Sequence, residues 1–479
     1  MTLQDVVLLD KDERVVPGKV RLKNGVIQCR WADDGAKAVS LRWDAGRAGA
    51  CSLRTCLLAQ RSEPYLLCVE LARHRIGTFA FKAEEWQMSS RLDATHPAMQ
   101  CWERARSLFT NAMVISDPAK AQQFAQRSLS LAIEATERLA MAYAEAQLKI
   151  RFATKPLPST ALGTRVPLME VDDAARSVVL KDMPLITVPL SWSALCDEQG
   201  QYDWSGPDAW IGWAIDHGCR VLTGPLLDLS PGGVPPWVRH RLDAGVSLDD
   251  VAWDHVHAVV NRYGPHVGMW CVGTGLNSNA EVDLSTDEMV NLVRSTALCI
   301  REGGRGRRVV VEIDQPWSEH LCDGPSGIDP LQFVDHVQQR GVRLDAVGLR
   351  IRMGDGHSGR SVRDLMEISR MVDRYFLLDV PILISRLGVP DQAELDGGRW
   401  RERDWNPETQ AKWAARAVLL LIAKRHVQSV IWTDLIDNPQ TCPPGGGLMQ
   451  ADGTAKMVLN RLQSLVRQLR TNKAGGDDT

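Results

Sequence analysis

Short apolar segments alternate with amphipathic ones from about residue 160 to residue 470. The apolar segments have the length and β-branched content of buried parallel strands, and the segments between them carry apolar residues at helical spacing. The predicted strands are ALGTRV, LITVPLSW, CRVLTGPLLDL, VGMWCVGTG, RVVVEIDQ, LDAVGLRIR, VPILISRLG and VQSVIWTDL. Eight β/α units predict an α/β fold, a TIM (β/α)8 barrel over 160–470, with any active site at the C-terminal ends of its strands.

The first part of the chain carries a different pattern, in which apolar and polar residues alternate over short segments. GKVRLKNGVIQCRW places Asn24-Gly25 between two alternating segments, which is typical of a β-hairpin. AVSLRWD, CLLAQ, PYLLCVELAR and IGTFAFKAEEW follow as further predicted strands. We therefore expect a small all-β, sandwich-like domain over residues 1–94.

A helical segment is predicted next, over residues 95–155. Thr95 with Pro97, and Asp117 with Pro118, combine a capping side chain with a proline at a helix start. The residues after Pro118 are rich in alanine and keep apolar side chains at helical spacing. TKPLPSTALG breaks this pattern before the barrel, and TNKAGGDDT predicts a disordered tail over 471–479.

Composition narrows the classes of partner. The chain is 44% hydrophobic and 24% charged with a net charge of -3, and its basic residues are not clustered, so we expect neither nucleic acid nor membrane as a partner. No signal peptide is visible, and the eleven cysteines are scattered, so we expect a cytoplasmic protein. No Cys/His group has the spacing of zinc ligands, and no motif predicts a metal or another cofactor.

The order of motifs in the barrel resembles glycoside hydrolase family 10, the xylanase family. RYGPHVGMWCV is similar to the family's R-Y-x-G-x-V-x-x-W-D-V, LDAVGLRIR to its I-D-G-V-G-x-Q-x-H, and VIWTDLID to its T-x-W-G-x-x-D. EQGQYDW and GLMQADGTAKMVLNRL resemble the family's second loop and closing helix. Over nearly its full length the chain also resembles a planctomycete group of family-10-like proteins, which share the phrase GPLLDLS.

The resemblance implies two catalytic glutamates, and neither is present. A retaining glycosidase needs an acid/base and a nucleophile, with their carboxyl groups roughly 5–5.5 Å apart. The family's W-D-V-V-N-E becomes WCVGTG, so Gly275 takes the acid/base position and Thr274 the preceding asparagine. The family's I-T-E-L-D becomes ISRLG, so Arg386 takes the nucleophile position. Of the family's sugar-binding N-E-x-K-W, only Trp192 is kept.

Strand alternation predicts which side chains now fill the barrel mouth. In AVGLRIR, Val347, Leu349 and Ile351 share one face and should contact the surrounding helices, while Arg350 and Arg352 should point into the barrel. The same reasoning turns six further side chains inward: Asp228 on the third strand, Glu312 and Asp314 on the fifth, Arg386 on the seventh, and Trp432 and Asp434 on the eighth.

Three interpretations of this mouth stay open. Four acids and three arginines could form a salt-bridge network that plugs the barrel. The arginines could instead bind an acidic or polyhydroxylated small molecule, with tryptophans at strand ends stacking on a sugar ring. Two of the acids could also act as relocated catalytic groups. The predicted ligand-binding residues are Trp192, Asp228, Asn277, Glu312, Asp314, Trp317, Arg350, Arg352, Arg386, Trp432 and Asp434.

Two functions follow from these interpretations. The first is a family-10-like pseudoglycosidase of carbohydrate metabolism, which binds a carbohydrate or an acidic sugar at the barrel mouth without cleaving it. The second is an active O-glycosyl hydrolase, similar to an endo-1,4-β-xylanase, that uses relocated carboxylates. Its candidate catalytic residues are Asp228, Glu312, Asp314 and Asp434.

Overall fold

The computed structural model describes residues 6–196, 198–322, 327–393 and 395–471. The chain forms two compact units. The first contains the residues up to Ala153 together with Met353–Val372 and Pro390–Ala423, and the second contains Thr154–Arg352, Asp373–Val389 and the residues from Lys424 onward. The first unit is therefore built from three separate parts of the sequence. The tail predicted over 471–479 lies, apart from Thr471, outside the described residues.

The second unit contains a closed barrel of eight parallel strands, as the sequence predicts. Its strands lie in the eight segments expected to form them, and neighbours in sequence pair side by side until the last strand closes on the first. In chain order the barrel strands are Leu162–Arg165, Leu185–Val188, Arg220–Thr223, Met269–Cys271, Arg308–Ile313, Ala346–Arg352, Ile382–Gly388 and Val427–Trp432. We call them β1 to β8. The TIM-barrel prediction is confirmed.

Short strands continue two of these segments beyond the barrel. After β3, Leu227–Asp228 pairs in parallel with Gly273–Thr274, which follows β4. After β8, Asp434–Ile436 pairs with Gly447–Met449. The helices of this unit are Asp173–Asp182, Trp192–Leu195, Ser205–Asp216, Pro236–Asp243, Leu248–Tyr263, Thr286–Glu302, Pro330–Gln339 and Met457–Arg470. A further helix, Leu365–Tyr375, has residues in both units.

The first unit contains an antiparallel sheet and a separate hairpin. The sheet consists of Val7–Leu9, Val15–Val16, Ala38–Asp44, Gly49–Arg54 and Arg399–Trp400. The hairpin joins Lys19–Lys23 to Val26–Arg30. Asn24 and Gly25 both have positive φ, of 52° and 77°, as the tight turn predicted at these residues requires.

The strands predicted in PYLLCVELAR and IGTFAFKAEEW are wrong, because this segment forms the helix Leu67–Glu85. Its buried side chains recur every three or four residues, at Cys68, Leu71, Ala72 and Phe79 among others, which is the spacing of one helix face. CLLAQ is not a strand either, although Leu58 forms one bridge to Lys37. β structure in residues 6–94 therefore ends at Arg54, well before the expected limit at residue 94.

The two helices predicted from capping signals are present, at Pro97–Val114 and Pro118–Arg151. Asp117 caps the second by accepting hydrogen bonds from the Ala119 and Lys120 amides, but His96 rather than Thr95 caps the first. A last helix, Pro407–Ala423, completes this unit. Among the described segments, none of the helices combines the length and hydrophobicity needed to span a bilayer.

Candidate functional site at the barrel mouth

An apolar layer closes the lower part of the barrel. It is formed by buried side chains from seven of the eight strands: Leu185, Leu222, Met269, Cys271, Val310, Ala346, Leu383 and Ile431. On β1, Gly163 leaves room for Leu185, because a Cβ there would lie 2.4 Å from the Leu185 carbonyl oxygen. Since side chains alternate along a strand, residues two positions beyond this layer point into the barrel nearer the mouth. These positions carry the polar residues.

Arg350 is a buried arginine of the mouth that contacts two carboxylates. Its Nε lies 3.3 Å from Glu312 Oε1 and 3.7 Å from Asp314 Oδ1. Its Nη1 donates a hydrogen bond of 2.9 Å to Thr274 Oγ1. Burial disfavours the charged form, but the Asp314 and Glu312 carboxylates outweigh it and hold the pKa of Arg350 above its ordinary value. The inward direction predicted for these side chains agrees with this geometry.

Two more ion pairs extend this cluster. Arg352 Nη2 lies 3.4 Å from Asp314 Oδ1. Arg165, at the end of β1, places Nη1 2.7 Å from Asp434 Oδ1. Burial raises the pKa of Asp434 in spite of this arginine. Arg165 was absent from the sequence prediction, although Gly163 and Arg165 share the inward face of β1 and the same alternation argument could have found it.

Asp228 is placed differently from the other three acids. Its Oδ1 accepts hydrogen bonds from the Ser230 amide, at 3.0 Å, and from the Ser230 hydroxyl. Among the described residues no arginine or lysine lies within ion-pair distance of it, and its side chain is half-buried. The carboxylate is thus engaged by its own loop, and the four acids do not form one network.

Gly275, at the position of the family's acid/base, faces another backbone. It has φ of +73°, and a Cβ added to it would lie 2.3 Å from the Ser230 amide nitrogen and 2.5 Å from the Leu229 carbonyl carbon. The pairing of Asp228 with Thr274 brings these two segments together, and the Leu229 amide donates to the Thr274 carbonyl oxygen at 2.9 Å. Only glycine fits this position.

Arg386, at the position of the family's nucleophile, reaches the mouth through a β-bulge. Regular alternation from Leu383, in the apolar layer, would place Ser385 inside the barrel and Arg386 outside. The register instead shifts after Leu349 pairs with Ile384, so that Arg386 stands beside Arg350. The inward direction predicted for Arg386 thus agrees with the structure for a reason that alternation alone does not contain.

Arg386 lies among charges but forms no ion pair. Among the described residues no carboxylate lies within 4 Å of its guanidinium, and the half-buried side chain makes no hydrogen bond. Burial, together with the positive charges of Arg350 and Arg165, lowers the pKa of Arg386 to about 9. The group is therefore still protonated at neutral pH. The salt-bridge network, one of the three interpretations of the mouth, therefore does not include Arg386 among the described residues.

The tryptophans expected to stack on a sugar ring are mostly inaccessible. Trp192 and Trp432 have no exposed surface, and their indole N–H groups donate to the Gly233 and Gly446 carbonyl oxygens at 2.9 and 2.6 Å. Trp432 also follows Ile431 of the apolar layer, so by alternation it leaves the strand on the side away from the interior. Both stacking predictions are wrong for this conformation of the chain. Trp317 is half-buried.

Asn277 is buried and connects two loops of the barrel. Its side-chain Nδ2 donates to the Asp314 carbonyl oxygen at 2.9 Å, which links the loops that follow β4 and β5. It has no exposed surface. Among the described residues, no group of three or more His, Cys, Asp and Glu side chains could hold a metal ion.

Comparison with known proteins shows what kind of barrel this is. No protein-family profile matches the chain. Xylanase 10B from Thermotoga petrophila RKU-1, solved in complex with xylobiose, has a TM-score of 0.50 and 14% identity, covering 68% of this chain and 97% of that one. Native xylanase 10B from Thermotoga maritima has a TM-score of 0.50 and 13% identity, covering 69% and 98%. At such identities the similarity shows the fold alone, a TIM barrel like that of these two xylanases.

Proposed function

We propose that this chain is a family-10-like pseudoglycosidase, whose barrel mouth binds a carbohydrate or an acidic sugar without hydrolysing it. The observation that carries the proposal is the closed backbone contact at Gly275. In the family-10 resemblance this position holds the carboxylic acid that protonates the leaving group, and here there is no room even for a Cβ. General acid catalysis typically contributes about 10²- to 10⁴-fold to such a reaction.

The nucleophile position supports the same proposal. Arg386 cannot attack a sugar carbon, because a guanidinium has no acceptor lone pair to offer at neutral pH. Its positive charge would also disfavour an oxocarbenium-like transition state. Three of the four mouth acids, Glu312, Asp314 and Asp434, each have an arginine nitrogen within 4 Å and are engaged in ion pairs.

The proposal includes membership of the planctomycete family-10-like group, on the resemblance carried by GPLLDLS and by the substituted catalytic positions. It also places the protein in the cytoplasm, where thiols such as buried Cys51, Cys68 and Cys271, none of them in a disulfide, stay reduced. A carbohydrate or acidic small molecule is its proposed partner, and we propose neither nucleic acid nor membrane binding.

The alternative is a hydrolase with relocated carboxylates, and Asp228 is the residue that favours it. It is the half-buried acid of the mouth that no arginine contacts among the described residues. Asp434, whose pKa is raised by burial, could serve as the proton donor of such a pair. Two carboxyl groups roughly 5–9.5 Å apart across an open cleft would be required.

Turnover of aryl β-xylosides and of xylan separates the two functions. We expect the wild-type protein to release no product above the background measured with the variants Asp228→Asn, Glu312→Gln, Asp314→Asn and Asp434→Asn. Thermal stabilisation by the same glycans, measured in parallel, is expected for at least one of them. Wild-type turnover that any of these four substitutions abolishes would contradict the pseudoglycosidase and establish the relocated enzyme.

A further inference from the structure

Among the described residues of the mouth, the Arg386 guanidinium has no carboxylate within ion-pair distance. Arg165, Arg350 and Arg352 each have a carboxylate oxygen within 4 Å, whereas Arg386 has none among the described residues. Desolvating an unpaired cation beside three like charges costs free energy, and its lowered pKa reflects that cost. An anionic ligand beside Arg386 would offset that cost.

Hydroxyl groups without a partner lie on the same inner surface. Thr187 and Ser385 are buried, with 6% and 4% of their surfaces exposed, and among the described residues neither hydroxyl has a hydrogen-bond partner, so neither accepts a hydrogen bond from Arg386. Thr187 follows Leu185 of the apolar layer by two residues, so it points into the barrel. Ser385 lies at the bulge of β7 and faces the inward position of Gly348. Ser385 is adjacent to Arg386 in sequence, and Thr187 lies opposite Arg165 in the backbone pairing of β1 with β2. Gly348 makes room for Ser385, because a Cβ there would lie 3.1 Å from the Ser385 hydroxyl.

We propose that Arg386 binds the carboxylate of a sugar acid. A guanidinium presents two parallel N–H donors to a carboxylate, which gives both charge and orientation. The inference rests on the proposed function and deepens it, since it selects sugar acids over neutral sugars at that site.

The surrounding charges favour a monoanion. Glu312, Asp314 and Asp434 are already in the mouth, so the second negative charge of a phosphate would meet carboxylates held by the other arginines. A single carboxylate carries one negative charge, which matches the one positive charge of Arg386. Inorganic phosphate, which can carry two negative charges, is the comparison ligand that tests this preference.

A structural role and a ligand-binding role for Arg386 predict opposite changes in the Tm of the ligand-free protein. If Arg386 stabilised the plug of ion pairs, Arg386→Gln would lower Tm. Because it is an unpaired cation among arginines, we expect Arg386→Gln to raise the Tm of the ligand-free protein by about 1–3 °C. Differential scanning calorimetry of the full chain measures this, with Arg294→Gln, at an exposed position of the helix Thr286–Glu302, as the matched control. A Tm lowered by Arg386→Gln but not by Arg294→Gln would overturn the unpaired-cation argument.

Isothermal titration calorimetry tests the ligand itself. The probes are a xylo-oligosaccharide carrying one glucuronic acid, neutral xylotriose and inorganic phosphate, each with wild type, Arg386→Gln and Arg294→Gln. We expect wild type to bind the acidic oligosaccharide at least tenfold more tightly than xylotriose, and Arg386→Gln to remove that preference while Arg294→Gln keeps it.

The contradicting outcomes separate this inference from the proposed function. Equal affinity for the acidic and neutral oligosaccharides would overturn the sugar-acid inference and leave the carbohydrate-binding function in place. Tighter binding of phosphate than of the acidic oligosaccharide, lost in Arg386→Gln, would replace the carboxylate by phosphate as the ligand group. Binding of none of the probes by a folded wild-type protein would overturn both the inference and the proposed function.

Discussion

Gly275→Glu is expected to destabilise the barrel mouth strongly and to restore no hydrolysis. The first Cβ atom would lie 2.3 Å from the Ser230 amide nitrogen, and the φ of +73° is itself unfavourable for any side chain. Left-handed backbone costs roughly 1–2 kcal/mol for a non-glycine residue, and overpacking of a well-packed site costs about 1–3 kcal/mol. We expect Gly275→Ala alone to lower the free energy of unfolding by about 2–5 kcal/mol.

Gly218→Ala is the matched control for the backbone term. Gly218 has a similar φ of +68°, but a Cβ there would meet nothing within 4 Å. The expected loss is about 1–2 kcal/mol, from backbone conformation alone. Urea denaturation of wild type, Gly275→Ala and Gly218→Ala measures the loss in free energy of unfolding for each substitution. Equal losses for Gly275→Ala and Gly218→Ala would show that the 229–230 backbone yields easily, and the closed acid/base position would then cease to support the pseudoglycosidase.

Arg350→Gln is the second substitution with a large expected effect. It removes the cation shared by Glu312 and Asp314, so that among the described residues Glu312 has no arginine within 4 Å and Asp314 keeps only Arg352. Breaking a buried ion pair from one side typically costs about 3–5 kcal/mol, because the remaining charge is uncompensated. We expect a loss of that size in the free energy of unfolding, measured by urea denaturation.

Arg340→Gln provides the comparison for an exposed pair. Arg340 and Asp287 form an ion pair in which both side chains are largely exposed, and such pairs contribute about 0–1 kcal/mol. Arg350→Gln should therefore cost several times more than Arg340→Gln. A comparable, small cost for both would mean that Arg350 does not hold the acids of the mouth, and those acids would become available for chemistry.

The barrel could be predicted from sequence because each of its strands is an apolar segment bounded by turns, followed in most cases by an amphipathic helix. The N-terminal region was harder, because the helix Leu67–Glu85 begins with apolar residues that also fit a strand. The three-part composition of the first unit had no local signal. Arg399–Trp400 forms a strand with Gly49–Arg54, some 350 residues earlier in the chain, and only tertiary structure reveals that pairing.

The site was predictable where strands are regular and unpredictable where they are not. Alternation correctly assigned Arg350, because β6 pairs with β5 in constant register up to Leu349 and the Arg350 guanidinium reaches Glu312 and Asp314 inside the barrel. It gave no account of Arg386, whose direction depends on a bulge at the β6–β7 pairing. The requirement for glycine at position 275 could not be derived from its sequence neighbours, because it comes from the close backbone contact with Leu229 and Ser230. Trp192 and Trp432 were placed at strand ends correctly, but burial there depends on the loops that cover them.

A mouth that binds a sugar without cleaving it can be tested for binding and for cleavage in one measurement. Wild-type protein is incubated at stoichiometric concentration with the glucuronic-acid-bearing xylo-oligosaccharide, and NMR follows ligand saturation transfer and the appearance of new reducing ends in the same tube. We expect a saturation-transfer signal that persists while no new reducing end forms. New reducing ends that disappear when Asp228→Asn or Asp434→Asn replaces the wild type would contradict it.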